Sequence, residues 1–187
     1  MNKIIVVDVD GTVVNPYHLW WSWMEHITKE SKSFPSLDEP IEYNLSEYFS
    51  EEFSQIGRDP MDFWRGDNLY DFLSPIEGSV EVLWSLFEKG FKIHFASHCK
   101  GGHMKSKVNF LKRHFPMNAF YATQEKEGLV CDIIIEDRVD IINRFSDDKL
   151  KIILESPFTQ EEPPLNDLPY VVSNWRDIGH VIHNNFS

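Results

Sequence analysis

Cysteine is scarce in this chain of 187 residues, where only Cys99 and Cys131 occur. One disulfide at most could form, and neither residue belongs to a Cys-x-x-Cys pair or a zinc spacing. A disulfide scaffold and a zinc module are therefore unexpected, and both cysteines read as buried thiols. Positive charge is also short: 18 Lys and Arg stand against 30 Asp and Glu, a formal net charge of −12. A nucleic-acid polymer is held by clustered Lys and Arg, so that partner is disfavoured. A single small phosphate needs only one or two local cations and remains compatible with the acidic total. Long apolar runs are missing as well. Ile4-Ile5-Val6-Val7 is far too short to span a membrane and is followed by acids instead of a cleavage site, which makes the cytoplasm the default location. No internal repeat or low-complexity tract is present.

What is there suits a soluble globular chain, with 42% hydrophobic and 26% charged residues and a length that fits one domain plus a modest insertion. Lys3 to Val9 is a β-branched run ending in acids, as expected of a strand buried on both faces of a parallel sheet. Similar runs recur at Phe91 to Ala96, Ala119 to Ala122, Cys131 to Ile135, Leu150 to Leu154 and Tyr170 to Val172. Helical patterns lie between them at Ser79 to Lys89, His103 to Phe115, Arg138 to Phe145 and Asn174 to about Asn184. Alternating strands and helices imply an α/β fold with a parallel sheet covered on both faces, and such sheets bind ligands at the carboxyl ends of their strands.

Val14 to Ile76 breaks this rhythm. It has no strand-like run, is dense in aromatics, and offers helices at Tyr17 to Lys32, Ser46 to Gln55 and Pro60 to Leu73. It reads as a helical cap, 14–76, inserted after the first strand of a core formed by 1–13 and 77–187. Ser156 to Pro169 contains four prolines and reads as a loop before the last strand.

The chemistry gathers where strands end. In Asp8-Val9-Asp10-Gly11-Thr12 two acids stand two residues apart in extended chain, so both carboxylates face one site. Ser97 closes the second core strand and offers a hydroxyl to a phosphoryl oxygen, although a serine there is commonly a helix cap. Lys126 can neutralise charge on a transferring phosphoryl group, and Glu136-Asp137 at another strand end can hold magnesium through oxygen ligands. By themselves, Lys126 would read as a solvated charge and Asp137 as a helix cap.

Taken in order, Asp8-x-Asp10-Gly11-Thr12, Ser97, Lys126 and Glu136-Asp137 resemble the four signatures of the haloacid dehalogenase superfamily. Within it, Thr123-Gln124-Glu125-Lys126, Cys131-Asp132 and Glu136-Asp137-Arg138 are similar to the pattern of the 5′(3′)-deoxyribonucleotidases, including bacterial and phage relatives. The chain departs from that pattern at Ser97-His98-Cys99, where Thr-Ser-Pro is frequent, and at Glu136, where Asp is usual.

The resemblance implies a Rossmann-like core and a phosphomonoesterase in which Asp8 attacks phosphorus, Asp10 serves as acid and base, and Lys126 assists. It also implies magnesium held by Asp8, the Asp10 carbonyl and Asp137, and phosphate bound by Gly11, Ser97, His98 and Lys126. The base of a nucleoside monophosphate would stack on cap aromatics, with Trp20, Trp21, Phe63 and Trp64 as candidates. Two other readings stay open: a phosphatase for another small ester such as a sugar phosphate, and a non-catalytic nucleotide-binding module. Whether the chain forms a homodimer is also open.

Overall fold

The computed structural model describes residues 3–36, 41–42, 44–99, 101–156 and 169–186. Six strands form one parallel sheet: β1 (Ile4–Val7), β2 (Lys92–Ser97), β3 (Ala119–Ala122), β4 (Ile133–Glu136), β5 (Leu150–Leu154) and β6 (Tyr170–Val172), in the order β3-β2-β1-β4-β5-β6. The strand order reverses beside β1, which is where a doubly wound sheet opens a crevice at its carboxyl edge. The expected strands are thus present, and the fold is α/β as read.

Alternation along β1 sends Ile5 and Val7 to one face and Val6 to the other, and all three are fully buried. On the first face they join Ile93, Phe95, Ile133 and Ile135, covered by α3 (Ser79–Glu88), α4 (Met104–His114) and α6 (Trp175–Phe186) through Leu83, Phe110 and Ile178. On the second face Val6, Ala96, Ile134 and Ile153 pack with Val139, Ile142 and Phe145 around α5 (Val139–Ile142). That helix is a single turn where a longer one was expected. Beyond it Arg144 and Phe145 donate to residues three back, so the chain tightens into turns instead of continuing as α-helix.

The chain leaves the sheet at Val13 and Val14 and returns at Pro75 and Ile76, where Val14 bridges Pro75 and the Ile76 N–H donates to the Val13 carbonyl at 2.8 Å. Between these points lie α1 (Tyr17–Thr28), α2 (Ser50–Ile56) and tight 3-10 turns at Leu45–Phe49 and Pro60–Arg65. Helix α1 stops four residues before its expected end because Lys29 adopts a left-handed conformation, φ 65°, and caps it through Glu25. The third expected helix is only the Pro60–Arg65 turn, closed by extended backbone at Gly66. Trp21, Met24, Phe49 and Phe53 fill the insertion, and their cluster is continuous with the first face of the sheet. The expected proline-rich loop, apart from Ser156 and Pro169, lies outside the described residues.

Candidate active site

Asp8 follows β1, and its N–H still donates to the Ile135 carbonyl, so the carboxylate projects from the carboxyl edge beside the end of β4. There Glu136 is fully buried and Asp137 nearly so. Lys126, from the 3-10 turn Lys126–Gly128, reaches between them, its ammonium hydrogen-bonding both Asp8 Oδ1 and Glu136 Oε1. The second oxygen of Glu136 accepts from the N–H groups of Asp137, at 3.0 Å, and Arg138. Glu136 therefore ties the lysine to the loop that carries Asp137.

Asp137 is held on one side only. The Thr12 hydroxyl donates to Oδ1 at 3.4 Å, whereas Oδ2 is buried with no hydrogen-bond partner among the described residues. A buried carboxylate oxygen without a donor is costly unless a cation takes it. Asp8, Glu136 and Asp137 each offer an oxygen, and these oxygens lie within 4.8 Å of one another. Such a hard, all-oxygen set fits a cation of the magnesium class.

Gly11 belongs to this geometry differently from expectation. Its N–H is committed to the Val14 carbonyl at 2.8 Å, which leaves it no donor for a phosphate. What the position supplies is room: φ is +85°, and a Cβ would stand 2.0 Å from Asp137 Oδ2.

Asp10 stands opposite this cluster. Its Oδ2 accepts from the Lys107 ammonium at 2.6 Å and the Ser97 hydroxyl at 3.3 Å, and Lys107 also donates to Ser97 at 2.7 Å. Its Oδ1 accepts from the Tyr70 hydroxyl at 2.6 Å. Lys107 and Tyr70 escaped the sequence reading. Lys107 had a usable signal, since on α4 it shares the buried face with Phe110 and Leu111, three and four residues on. Tyr70 had none, because 60 residues separate it from Asp10.

Electrostatics follow from the crowding. Four carboxylates, Asp8, Asp10, Glu136 and Asp137, face two ammonium groups, Lys107 and Lys126, so the ionised cluster carries two excess negative charges. One divalent cation would balance them. Burial, then Glu136, pushes the Asp8 carboxyl up to about 7 against the opposing pull of Lys126. Asp137 is also driven well above the ordinary carboxylate range, by burial and then by Asp8 and Glu136. Burial works against the Lys126 charge, but Asp8 and Glu136 outweigh it and raise its pKa.

A cavity of about 660 Å³ opens over these groups, lined by Asp8, Asp10, Ser97 and Lys126 on the core side and by Trp20 and Trp64 on the insertion side. That volume suits a small organic ligand. His98 and Gln124 lie on its rim. Of the four aromatic candidates, Trp20 and Trp64 line the cavity, whereas Trp21 and Phe63 do not. Trp21 is locked inside the insertion, with Phe34 and Phe49 edge-on to its indole and its Nε1 donating to the Lys32 carbonyl. Phe63 backs Trp20 with stacked rings 6.3 Å apart, and the Trp20 Nε1 is pinned to the Pro60 carbonyl at 3.1 Å. His103 also lines the cavity and packs against Trp64 and Tyr70. Cys131 is a buried free thiol, while Cys99 is free and only half-buried.

The chain resembles several solved structures over nearly its whole length. A protein from Clostridium acetobutylicum described as a predicted phosphatase shares 16% identity at TM-score 0.63, covering 98% of this chain and 99% of its own. A haloacid dehalogenase-like hydrolase of Bacillus subtilis, solved bound to magnesium, gives 12% identity and TM-score 0.62 over 97% and 98%. A superfamily hydrolase from Ehrlichia chaffeensis gives 13% and 0.58 over the full length of both chains. These likenesses establish the fold. No curated protein matches the chain significantly. At the level of sequence family the match is nearly complete, spanning residues 2–185. The chain is a phosphoric monoester hydrolase that belongs to the family described as 5′ nucleotidase, deoxy (Pyrimidine), cytosolic type C protein.

Proposed function

We propose that the protein hydrolyses (deoxy)ribonucleoside monophosphates with magnesium, through an aspartyl-phosphate on Asp8. The observation that carries the reading is the buried Asp8, Glu136 and Asp137 set with Lys126 between two of its members and one Asp137 oxygen unpartnered. Asp8, Asp137 and the Asp10 carbonyl would hold the ion, with Glu136 keeping Lys126 and the Asp137 loop in place. A bound magnesium supplies positive charge that offsets repulsion between the Asp8 carboxylate and the phosphate.

In the first half-reaction an Asp8 oxygen bonds to phosphorus while the ester oxygen departs, taking a proton from Asp10. In the second, Asp10 accepts a proton from the water that attacks phosphorus, releasing inorganic phosphate and restoring Asp8. Ser97 and Lys126 hold the phosphoryl oxygens, and Lys126 balances their charge. We assign 14–76 as the cap, 1–13 and 77–187 as the core, and Trp20 and Trp64 as the surface on which the base stacks. A cavity roofed in this way admits a mononucleotide and excludes a polymer.

Phosphate release from deoxynucleotides, ribonucleotides and sugar phosphates, each with magnesium or chelator, tests this reading. Magnesium-dependent release concentrated on nucleotides is expected. Release chiefly from sugar phosphates would discard the substrate while keeping the chemistry.

A further inference from the structure

Asp10 is held through both carboxylate oxygens by three different parts of the chain. Lys107 of α4 and Ser97 of β2 occupy Oδ2, and Tyr70 of the insertion occupies Oδ1. A carboxylate gripped through both oxygens cannot rotate about its Cβ–Cγ bond without breaking a hydrogen bond. The Tyr70 grip is rigid in turn. The residue is fully buried, its N–H reaches the Ser106 hydroxyl at 3.4 Å, and its ring lies 5.8 Å from His103 and 6.2 Å from Phe110. The Lys107 ammonium sits 5.1 Å from the ring centroid, adding a cation–π contact on the same wall. With α4 fixing the ring, the phenol oxygen has one place to be.

We propose that Tyr70 is a positioning residue for the acid/base step, its hydroxyl holding the Asp10 carboxylate in the orientation from which the departing ester oxygen is protonated. The inference rests on the reading of Asp10 as acid and base. The Tyr70 hydroxyl donates to Asp10 Oδ1 at 2.6 Å and serves as a hydrogen-bond donor throughout. The proton that moves is the one on Asp10: as the phosphorus–oxygen ester bond breaks, its electron pair goes to the ester oxygen and the Asp10 proton is transferred there. The same orientation then serves the attacking water. Since Tyr70 comes from the insertion, the segment that roofs the cavity also sets the geometry of the core acid.

A positioning role has a signature that simple loss of packing lacks. An alkoxide leaving group is strongly basic and must be protonated as it departs, whereas p-nitrophenolate departs without help. The comparison uses kcat/KM, which reports only steps through departure of the first product. It is measured with magnesium for wild type, Tyr70→Phe and Asp10→Asn, on p-nitrophenyl phosphate and on whichever alkyl phosphate the wild type turns over fastest. Phenylalanine retains the ring contacts and removes only the hydroxyl. The expected result for Tyr70→Phe is a loss of about 10- to 100-fold on the alkyl ester against about threefold or less on the aryl ester, part of the range general acid catalysis supplies. Asp10→Asn should show the same discrimination more steeply. The ratio between the two substrates does not depend on how much of a variant is folded. If Asp10→Asn discriminates and Tyr70→Phe loses both activities equally, or neither, the positioning role is overturned. If Asp10→Asn itself fails to discriminate, the acid/base reading of Asp10 falls instead.

Discussion

Replacing Gly11 by alanine separates the demands of the fold from those of the site. Two penalties can be worked from the structure. Gly11 has φ +85°, in the left-handed region, where an L-residue pays roughly 1–2 kcal/mol. At about 2–4 °C per kcal/mol for a chain of this size, the melting temperature should fall by about 2–8 °C. The second penalty is local. The new Cβ would lie 2.0 Å from Asp137 Oδ2 and 2.8 Å from its Cγ, where ordinary contact begins at 3.4 Å. The Asp137 carboxylate must therefore retreat by more than an ångström, and swinging a side chain is cheaper than moving backbone. A displacement of that size at a reacting centre costs on the order of 10²-fold in rate. Gly11→Ala should thus fold, melt slightly lower, lose the rise in melting temperature that magnesium gives the wild type, and turn over at about a hundredth of the wild-type rate or less. Thermal melts with magnesium or chelator, beside phosphate release, check all of this. Wild-type activity with an unchanged magnesium response would refute the placement of Asp137 at the metal.

Lys126→Met should be costly in another way, because it strands the Asp8 and Glu136 carboxylates in a buried site. A loss of about 3–5 kcal/mol is expected in denaturant unfolding at neutral pH, shrinking in acid as Asp8, whose carboxyl burial already pushes up to about 7, takes up a proton. Trp64→Leu or Trp20→Leu should raise KM for a nucleotide by roughly 5- to 150-fold, the equivalent of about 1–3 kcal/mol of base stacking, and spare p-nitrophenyl phosphate; equal effects on both substrates would remove these residues from the base site. Metal dependence should vary with pH in a stated direction. Asp8 is raised to about 7 in the metal-free fold from an ordinary value of 3.8, so the folded chain binds the proton more tightly than the unfolded chain does. Its contribution is complete below about pH 4 and is lost as pH rises towards 7. A cation replaces that proton, so the gain in melting temperature from magnesium over chelator should be small at pH 5 and large at pH 8, and a gain independent of pH would contradict the assignment.

Much of this architecture was legible in the sequence, for a physical reason. A strand buried on both faces must be apolar at every position, so Ile4 to Val7 and Ile133 to Ile135 stand out as runs, and the acids that end them are then fixed in space by the sheet. The insertion was harder to read. Its helices end at Lys29 and Gly66 through backbone conformations that Lys29 did not announce, and its aromatics divide between cavity and interior by tertiary packing alone. Trp20 and Trp21 are adjacent in sequence yet face different surroundings, since neighbours on a helix point about 100° apart. Lys107 was hidden by the habit of reading lysine as solvated, although its spacing from Phe110 and Leu111 marks the buried face of α4.

The account stands on Asp8 as the group that attacks phosphorus. Asp8→Asn keeps the size of the side chain and its place beside Lys126 while removing the nucleophile, so phosphate release should fall to a few percent of wild type or less, with cooperative thermal unfolding retained. Turnover near the wild-type rate in that variant, magnesium present, would contradict the mechanism at its first step.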